Sequence, residues 1–453
     1  MALPLEDYAL IADEETAALV GRDGSIDWLC VPRYDSGACF AALLGTAEHG
    51  RWLVAPRGGV RRTRRAYRDA TLVLETEFET DDGTVKLVDC MRPRERHPSV
   101  VRVVEGVRGR VPMQMDLVIR FDYGSIVPWV RRLSDDALTA IAGPDALCLR
   151  TSVEHRGEDF RTVADFTVAA GDRVPFTLTW YPSNEAPPAT DALADLAATE
   201  ASWREWSGRC TYEGEWKEAV QRSLLVLKAL AYEPTGGIVA APTTSLPEQL
   251  GGVRNWDYRF CWLRDATFSL YALNVSGYVD EAQAWRDWLL RAVAGKPSEL
   301  QTLYGPAGER RIPEMELPWL PGYENSAPVR IGNAAVKQFQ LDVWGEVLDA
   351  MHVARRSGLE PEEDAWNLEQ KLVEYLETAW REPDEGIWEV RGRRRHFTHS
   401  KVMAWVGFDR AVKAVERFGC TGAADRWRRL RAEVHEEVCR RGFDAERGSF
   451  VQS

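Results

Sequence analysis

The sequence lacks the short motifs by which the commonest nucleotide-binding and hydrolytic enzymes are recognised. It contains no GxGxxG, GxxxxGKS/T, GxSxG or HExxH segment, and His435-Glu436-Glu437 is not followed by a second histidine. The seven histidines are dispersed, and only His396 and His399 lie close together. Dinucleotide, P-loop, serine-hydrolase and zinc-hydrolase chemistry are therefore unsupported, and we expect neither a metal site nor a cofactor.

Long apolar runs are also missing. No uninterrupted apolar stretch approaches the length needed to cross a bilayer. Residues 1–7 show neither the basic start nor the apolar segment of a signal peptide. The eight cysteines include no CxxC pair, which in a chain of this length is typical of reduced, mostly buried thiols. We therefore expect a cytoplasmic protein with no membrane partner.

Basic residues are fewer than acidic ones. The chain has 57 Lys and Arg against 70 Asp and Glu, a formal net charge of −13, which argues against a nucleic-acid partner. Its 453 residues, 45% hydrophobic, are typical of a globular protein with two domains. Its 18 tryptophans are about three times the average usage. The flat face of tryptophan suits sugar rings, although most of these residues are expected in the core.

Hydrophobic periodicity divides the chain into a β part and an α part. Residues 71–80 alternate with period two, and Asp81-Asp82-Gly83 predicts a hairpin turn before a strand at 85–88. Further strands are predicted at 100–107, 115–121, 147–153, 160–168 and 174–180. Helical periodicity predicts about seven helices, near 213–230, 264–275, 280–294, 334–355, 361–381, 400–418 and 423–441. We predict an N-terminal β-sandwich over 1–182, a linker with a helix over 183–212, and a helical domain over 213–453.

Residues 254–265 form the first segment that is dense in chemically useful side chains. It holds three arginines, two aspartates, two tryptophans and a tyrosine. Arginine and aspartate together donate to and accept from sugar hydroxyls, while tryptophan stacks on the ring. A structural Arg–Asp network at a helix start explains the same composition equally well. The candidate substrate-binding residues are Asp257, Arg259, Trp262, Arg264 and Asp265.

The second such segment, 322–333, precedes a predicted helix that carries Asp342, Trp344 and Glu346. Asp342 and Glu346 are four residues apart and share a helix face, so their charges repel and one carboxyl tends to keep a proton. A carboxyl that is protonated at neutral pH is what a general acid requires. A solvated acidic face is the alternative, since Asp and Glu are mostly exposed. The candidate substrate-binding residues here are Tyr323, Arg330, Asp342 and Trp344.

The third segment, 399–410, is predicted to be helical, with Lys401 and Trp405 on one side of the helix. Such a pair suits a sugar ring, and ordinary amphipathic packing explains the spacing equally well. Lys401 and Trp405 are therefore further candidates for substrate binding.

Together these segments resemble family 15 of the glycoside hydrolases, the group that contains glucoamylases, glucodextranases and bacterial or mycobacterial-type trehalases. The N-terminal part is similar to the N-terminal domain of the trehalase-like branch. The resemblance covers essentially the whole chain. It is carried by residues 5–13, 16–30, 32–36, Trp262-Leu-Arg-Asp265, 328–335, Gln340-Leu-Asp-Val-Trp-Gly-Glu346 and 400–405.

The resemblance implies a β-sandwich followed by an (α/α)6 barrel with the active site at one mouth. It implies an inverting mechanism, in which an acid and a base lie roughly 6.5–9.5 Å apart on opposite faces of the sugar. Glu346 is then the acid, although fungal members have adjacent glutamates where this chain has Gly345-Glu346, which leaves the register open by one residue. Arg264 and Asp265 resemble the pair that grips the glucose at the non-reducing end, and Trp262 resembles its stacking neighbour.

The resemblance also implies that the catalytic base lies beyond residue 453. About seven predicted helices are fewer than such a barrel contains, so we expect the helical domain to lack its last helices and assign the base to no residue.

Three functions stay open at this point. The first is hydrolysis of α-glucosidic bonds in trehalose or malto-oligosaccharides, with a small carbohydrate as the partner and a homo-oligomer left open. The second is a non-catalytic sugar-binding relative, because the base is absent. The third and weakest is action on acidic sugars, which the Asp residues beside the arginines argue against.

Overall fold

The computed structural model describes residues 2–356, 358 and 363–453, and the chain divides into two compact units. The first, which we call the sheet unit, comprises Met1–Glu233, Ala241–Arg259 and Met315–Ile331. The second, the helical unit, comprises Pro234–Ala240, Phe260–Glu314 and Gly332–Ser453. A large N-terminal β-sheet region is thus followed by a helical region, whereas the boundaries expected at 182 and 213 stay predictions.

In the described residues, fifteen strands of the sheet unit join into one continuous sheet, in which neighbouring strands are antiparallel. The path runs β1-β2-β3-β5-β9-β15-β12-β11-β10, and the remaining strands pair beside it. The strands are β1 Tyr8–Ala12, β2 Ala17–Gly21, β3 Ser25–Cys30, β4 Ala38–Phe40, β5 Arg51–Pro56, β6 Val60–Tyr67, β7 Leu74–Thr80, β8 Gly83–Met91, β9 Ser99–Val118, β10 Trp129–Ser134, β11 Ala137–Ala142, β12 Asp145–Thr151, β13 Arg156–Glu158, β14 Arg161–Ala169 and β15 Arg173–Pro182.

The predicted hairpin at residues 81–83 is confirmed. Along β7, buried and half-buried positions alternate strictly, and β7 pairs with β8 from Leu74↔Asp89 to Glu79↔Thr84. One face of each strand therefore packs into the core, as period-two alternation requires.

Strand β9 corrects a prediction, because 100–107 and 115–121 belong largely to one strand of 20 residues. The exposed positions 107–110 interrupt the apolar pattern, yet the backbone ladder continues through them. The first half of β9 pairs with β8 and β15, and the second half pairs with β14 and β5. Gly109, at φ 72°, sits at this change of partners, where the left-handed backbone favours glycine.

One buried apolar cluster contains side chains from strands across the sheet, among them Trp52 of β5, Phe78 of β7, Leu147 of β12 and Phe176 of β15. Inside it lies a buried ion pair. The Arg102 guanidinium donates to Asp89 at 2.8 Å, to the Trp52 carbonyl at 2.7 Å and to the Gly24 carbonyl at 2.7 Å. Both charged side chains are inaccessible to solvent, so every charge here is met by the protein itself.

The helices agree with the apolar periodicity in position. They are α1 Ala192–Ser207, α2 Lys217–Ala229, α3 Leu263–Val275, α4 Val279–Ala292, α5 Asp342–Arg356, α6 Glu363–Ala379, α7 Thr398–Phe418 and α8 Ala424–Arg441. Short 3-10 turns lie at Leu5–Asp7, Ala42–Leu44, Ala47–His49, Pro297–Glu299, Tyr323–Asn325 and Ala334–Lys337. Two- to four-residue strands pair Thr244–Pro247 with Asn255–Asp257, Cys261–Trp262 with Leu303–Tyr304, Met315–Glu316 with Arg330–Ile331, and Phe443–Asp444 with Ser449–Phe450. Two further short strands are Ala231–Tyr232 and Gly237–Ile238.

Two helix predictions differ in detail from the structure. The helix predicted over 334–355 begins only at Asp342, because 334–337 form a 3-10 turn and 338–341 leave the helical path. Of the helix predicted over 361–381, residues 361 and 362 lie outside the described residues, and α6 covers Glu363–Ala379.

In the helical unit, α5 packs between α3 and α7 and is buried over most of its length. The helix that follows each of these in sequence packs against it: α4 against α3, α6 against α5, and α8 against α7. All eight cysteines are free thiols. Within the described ranges, no helix is long and apolar enough to cross a membrane, and no group of three or more His, Cys, Asp or Glu side chains is arranged to hold a metal ion.

Candidate active site

Three helices of the helical unit place polar side chains of their first turns next to one another. Arg264 lies in the first turn of α3, Asp342 begins α5, and His399 lies in the first turn of α7. Arg264 Nη1 donates to Asp342 Oδ2 at 2.9 Å. Burial lowers the pKa of His399, while the nearby charge of Asp342 opposes this shift and that of Arg264 reinforces it. The cluster thus draws on three separate stretches of sequence.

The Asp342 carboxylate is buried but only partly paired. Its Oδ2 accepts from Arg264, whereas Oδ1 has no hydrogen-bond partner among the residues that the structure describes. An unpaired buried acceptor is costly. A donor such as a sugar hydroxyl would therefore be bound favourably at this atom.

Glu346 follows Asp342 by one helical turn on α5. Glu346 is 4% exposed to solvent. Burial and the negative charge of Asp342 together raise the pKa of Glu346 to about 8, against the opposing positive charge of Arg264. A carboxyl with this pKa holds its proton at neutral pH, which is the state that a general acid needs.

Glu389 brings a solvent-accessible carboxyl to the same arginine. It lies in the connection between α6 and α7, where its backbone has the left-handed φ of 52°. Its Oε1 accepts from Trp262 Nε1 at 2.7 Å and from Arg264 Nη2 at 3.4 Å. The side chain is 25% exposed, so it can meet a ligand that Glu346 reaches only from the interior. An arginine surrounded by several carboxyls in a polar cluster suits a ligand with many hydroxyl groups.

Two family models match the chain, one in its N-terminal region and one in its C-terminal region. The family model described as glycosyl hydrolases family 15 matches residues 214–453, and the model described as trehalase-like, N-terminal matches residues 1–167. This chain belongs to glycosyl hydrolases family 15.

Full-length relatives agree with this assignment to family 15. The trehalase of Mycobacterium tuberculosis (strain ATCC 25618 / H37Rv) is 37% identical, over 99% of this chain and 70% of that protein. The trehalase of Thermoplasma volcanium is 32% identical, over 99% of this chain and 73% of that protein. A bacterial glucoamylase solved in complex with acarbose superposes with a TM-score of 0.64 at 12% identity, covering 94% of this chain and 66% of that one. The sequence relatives show a glycoside hydrolase, and the structural likeness shows the glucoamylase fold.

The position of Gly345 bears on the register of the family 15 segment 342–346. A Cβ on Gly345 would lie 2.1 Å from the backbone oxygen of Met403, because α5 and α7 approach each other closely here. No side chain fits at this position without moving one of the helices. The close packing explains why a glycine stands beside Glu346 in this chain.

The other predicted residues of the helical unit are placed differently from one another. Trp262 is buried and bound to Glu389, whereas Asp265 is exposed. Trp344 is buried and stacks on Tyr375, with ring centroids 5.2 Å apart. Lys401 is buried and donates to the carbonyls of Trp380 and Glu382, and Trp405 is half-buried.

The remaining predicted residues lie in the sheet unit. Arg259 is buried, donates to Asp257 at 2.7 Å and to the Ser36 carbonyl at 2.9 Å, and lies over the Tyr123 ring. Tyr323 donates to the Leu3 carbonyl at 3.1 Å. Arg330 donates to the Val253 carbonyl at 2.8 Å and lies over the Trp256 ring. Roles of these residues in substrate binding stay predictions.

Sequence reasoning missed Glu389 and His399. Glu389 lies in a connection, where hydrophobic periodicity carries no information. His399 opens the segment that contains Lys401, so its position at a helix start beside a site-like motif was the available signal.

Proposed function

We propose that this family 15 enzyme hydrolyses the α-glucosidic bond of trehalose by general acid and general base catalysis with inversion, and that malto-oligosaccharides are the alternative substrates. The support for trehalose is that relatives named as trehalases align with nearly all of the chain, including its N-terminal region. The observation that carries the catalytic part is the raised pKa of Glu346 beside the Arg264–Asp342 pair.

In the proposed step, Glu346 donates its proton to the glycosidic oxygen as the bond to the anomeric carbon breaks. Water forms the new bond to that carbon from the opposite face and gives its proton to a base. No residue of this chain is assigned as that base. Arg264, Asp265, Asp342 and Trp262 are proposed to hold the glucose, with Oδ1 of Asp342 accepting from a hydroxyl.

Glu389 is the second candidate for the acid. The observation in its favour is access, since it is 25% exposed and its carboxyl is held by Trp262 and Arg264. A general acid has to reach the glycosidic oxygen within hydrogen-bond distance. Glu346 has the pKa that the role requires, whereas Glu389 has the accessibility. An experiment is therefore needed to decide which of the two is the acid.

The finer architecture is proposed together with the function. The alternation of neighbouring helices α3, α5 and α7 with α4, α6 and α8 is the pattern expected of an (α/α)6 barrel. The single apolar core to which β5, β7, β12 and β15 contribute supports the proposed β-sandwich.

The test is glucose release from trehalose, maltose, maltotetraose and isomaltose by the wild type and by Glu346→Gln, Glu389→Gln and Glu374→Gln. Glu374 is an exposed carboxylate on α6 and serves as the matched control. We expect trehalose to give equal amounts of β-glucose, from the inverted carbon, and α-glucose, from the leaving sugar, in early NMR spectra, with release abolished by the change at the acid and unchanged in the control. Whichever of the first two variants loses activity on trehalose but keeps it on a substrate with a good leaving group identifies the acid, since such a group needs no proton.

The alternative of a non-catalytic sugar-binding protein makes a different prediction. It expects no release from any of the four sugars, with trehalose or glucose still bound in calorimetry. Initial release of the α-anomer alone from trehalose would contradict inversion while leaving hydrolysis intact.

A further inference from the structure

Two glutamines join Arg264 to Glu389 by a second route. Arg264 Nη1 donates to Gln340 Oε1 at 2.9 Å, and Gln340 Nε2 donates to Gln338 Oε1 at 2.8 Å. Gln338 Nε2 then donates to the backbone carbonyl of Glu389 at 3.2 Å. Since Arg264 Nη2 also reaches the Glu389 carboxylate at 3.4 Å, the four residues close a ring of hydrogen bonds.

The orientation of both amides in this ring is determined by its two ends. A guanidinium only donates, so the atom of Gln340 that faces Arg264 has to be the oxygen. A backbone carbonyl only accepts, so the atom of Gln338 that faces Glu389 has to be the nitrogen. The middle bond, from Gln340 nitrogen to Gln338 oxygen, is the one arrangement that satisfies both ends.

The far end of the ring is a backbone that needs support. Glu389 has a φ of 52°, which costs a residue with a Cβ roughly 1–2 kcal/mol. Such a conformation persists only when the surroundings impose it. Gln338 fixes the carbonyl of this residue, while Trp262 and Arg264 fix its carboxylate. Gln340 is itself 1% exposed, so the connecting amide is shielded from competing water.

We propose that Gln338 and Gln340 are positioning residues that act through Arg264 and the backbone of Glu389 to hold the carboxyl of Glu389, the second candidate for the acid, in place. The expected effect on kcat rests on the proposed function in its form with Glu389 as the acid, whereas the positioning itself does not. The two glutamines touch no reacting atom, and their effect is transmitted in series along the ring.

The kinetic test compares Gln338→Met, Gln340→Met and the double variant with Gln283→Met, on trehalose. Gln283 is exposed on α4 and provides the matched control. We expect kcat to fall on the order of tenfold to a hundredfold in each ring variant, with KM changed less than about threefold, since each net hydrogen bond is worth roughly a factor of ten. Because the links are in series, the double variant is expected to fall no further than Gln340→Met, whereas independent packing effects add.

A second readout does not depend on catalytic activity. The indole N–H of Trp262 donates to Glu389, and its resonance in a spectrum of ¹⁵N-tryptophan-labelled full chain is assigned with Trp262→Phe. We expect this resonance to move or broaden in Gln338→Met and Gln340→Met and to stay unchanged in Gln283→Met. Gln340→Glu keeps an acceptor for Arg264 but turns an oxygen toward Gln338, so it is expected to behave like Gln340→Met.

Failure of the function and failure of the proposal are distinguishable. If the wild type releases no glucose while the Trp262 resonance still changes in the ring variants, the proposed function is wrong and the positioning role of the two glutamines is supported. An unchanged resonance in both ring variants, a rise in KM alone, or additive losses in the double variant would overturn the proposal.

Discussion

Arg102 in the sheet unit and Arg264 in the helical unit are both held against a buried aspartate, yet the two pairs are completed differently. Arg102 meets one carboxylate, two backbone carbonyls and the face of Trp52, 5.0 Å from its guanidinium carbon. Neither Arg102 nor Asp89 is accessible to solvent. Positive and negative charge balance, and the donors have acceptors, so the pair is fitted to hold the fold.

Arg264 is surrounded by more acceptors than it can neutralise. It contacts Asp342, Glu389 and the amide of Gln340, and Glu346 lies one turn further along α5. One oxygen of Asp342 stays unpaired among the described residues, and the pKa of Glu346 rises to about 8. We therefore expect the balanced pair to serve structure, and the pair with excess acceptors to serve the proposed chemistry.

The largest expected effect breaks the balanced pair. Arg102→Met leaves Asp89 buried without a counter-charge, which typically costs about 3–5 kcal/mol of unfolding free energy. Urea denaturation followed by circular dichroism measures the loss. Replacing Asp89 by leucine in the same variant should recover part of it, and a change below about 1 kcal/mol in Arg102→Met would refute a structural role.

The next effect is on activity. Arg264→Met removes the donor that holds Asp342 and Glu389, and we expect kcat/KM on trehalose to fall about 10²–10³-fold, as for other preorganised donors. Its unfolding free energy should drop less than that of Arg102→Met, because the helical cluster is only partly buried. Equal stability losses with unchanged kcat/KM would erase the distinction between the two pairs.

A smaller effect concerns pH. The folded pKa of Glu346, about 8, lies above its ordinary value of 4.5. The stability that this group contributes is therefore fully present below pH 4.5 and is lost as the pH rises through about 8. If Glu346 is the acid, kcat/KM falls above about pH 8.

Asp342→Asn sharpens this prediction. Removing the neighbouring negative charge lowers the pKa of Glu346, so the alkaline limb of kcat/KM should move to lower pH. Steady-state rates from pH 5 to pH 10, a range of roughly five units, measure the shift. A limb that stays in place would assign it to a group other than Glu346.

The smallest effect concerns Lys401. Its ammonium donates to two backbone carbonyls, so Lys401→Met should lower the unfolding free energy by about 1–3 kcal/mol and leave KM for trehalose unchanged. Thermal unfolding and initial rates measure both. A rise in KM at normal stability would support the sugar contact predicted from sequence.

Regular elements were predictable because their signal is local. The β7–β8 hairpin and helices α3, α6, α7 and α8 lie close to the periodic segments that predicted them. The start of α5 was not predictable. The side chain of Gln340 accepts a hydrogen bond from Arg264, that of Gln338 donates to the Glu389 carbonyl, and the Leu341 N–H donates to Asp384. These distant partners override the local preference of 334–341 for a helix.

The site was predictable where it lies on helices. Arg264, Asp342 and Glu346 sit at helix positions that sequence spacing can describe, and the repulsion expected between the two carboxyls agrees with the raised pKa of Glu346. Glu389 depends on a left-handed backbone in a connection. No spacing rule places such a residue next to an arginine more than a hundred positions earlier in the chain.

The meeting of the first turns of α3, α5 and α7 has an electrical consequence for the reaction. Each helix N-terminus carries about half a positive elementary charge, so three of them together oppose the positive charge that grows on the sugar ring in the transition state. The carboxylates of Asp342 and Glu389 act against this potential at the same place. If the sugar of the proposed reaction binds at this cluster, the field at its anomeric carbon is the difference between two opposing contributions, and we expect the rate to respond strongly to the change of a single charge here.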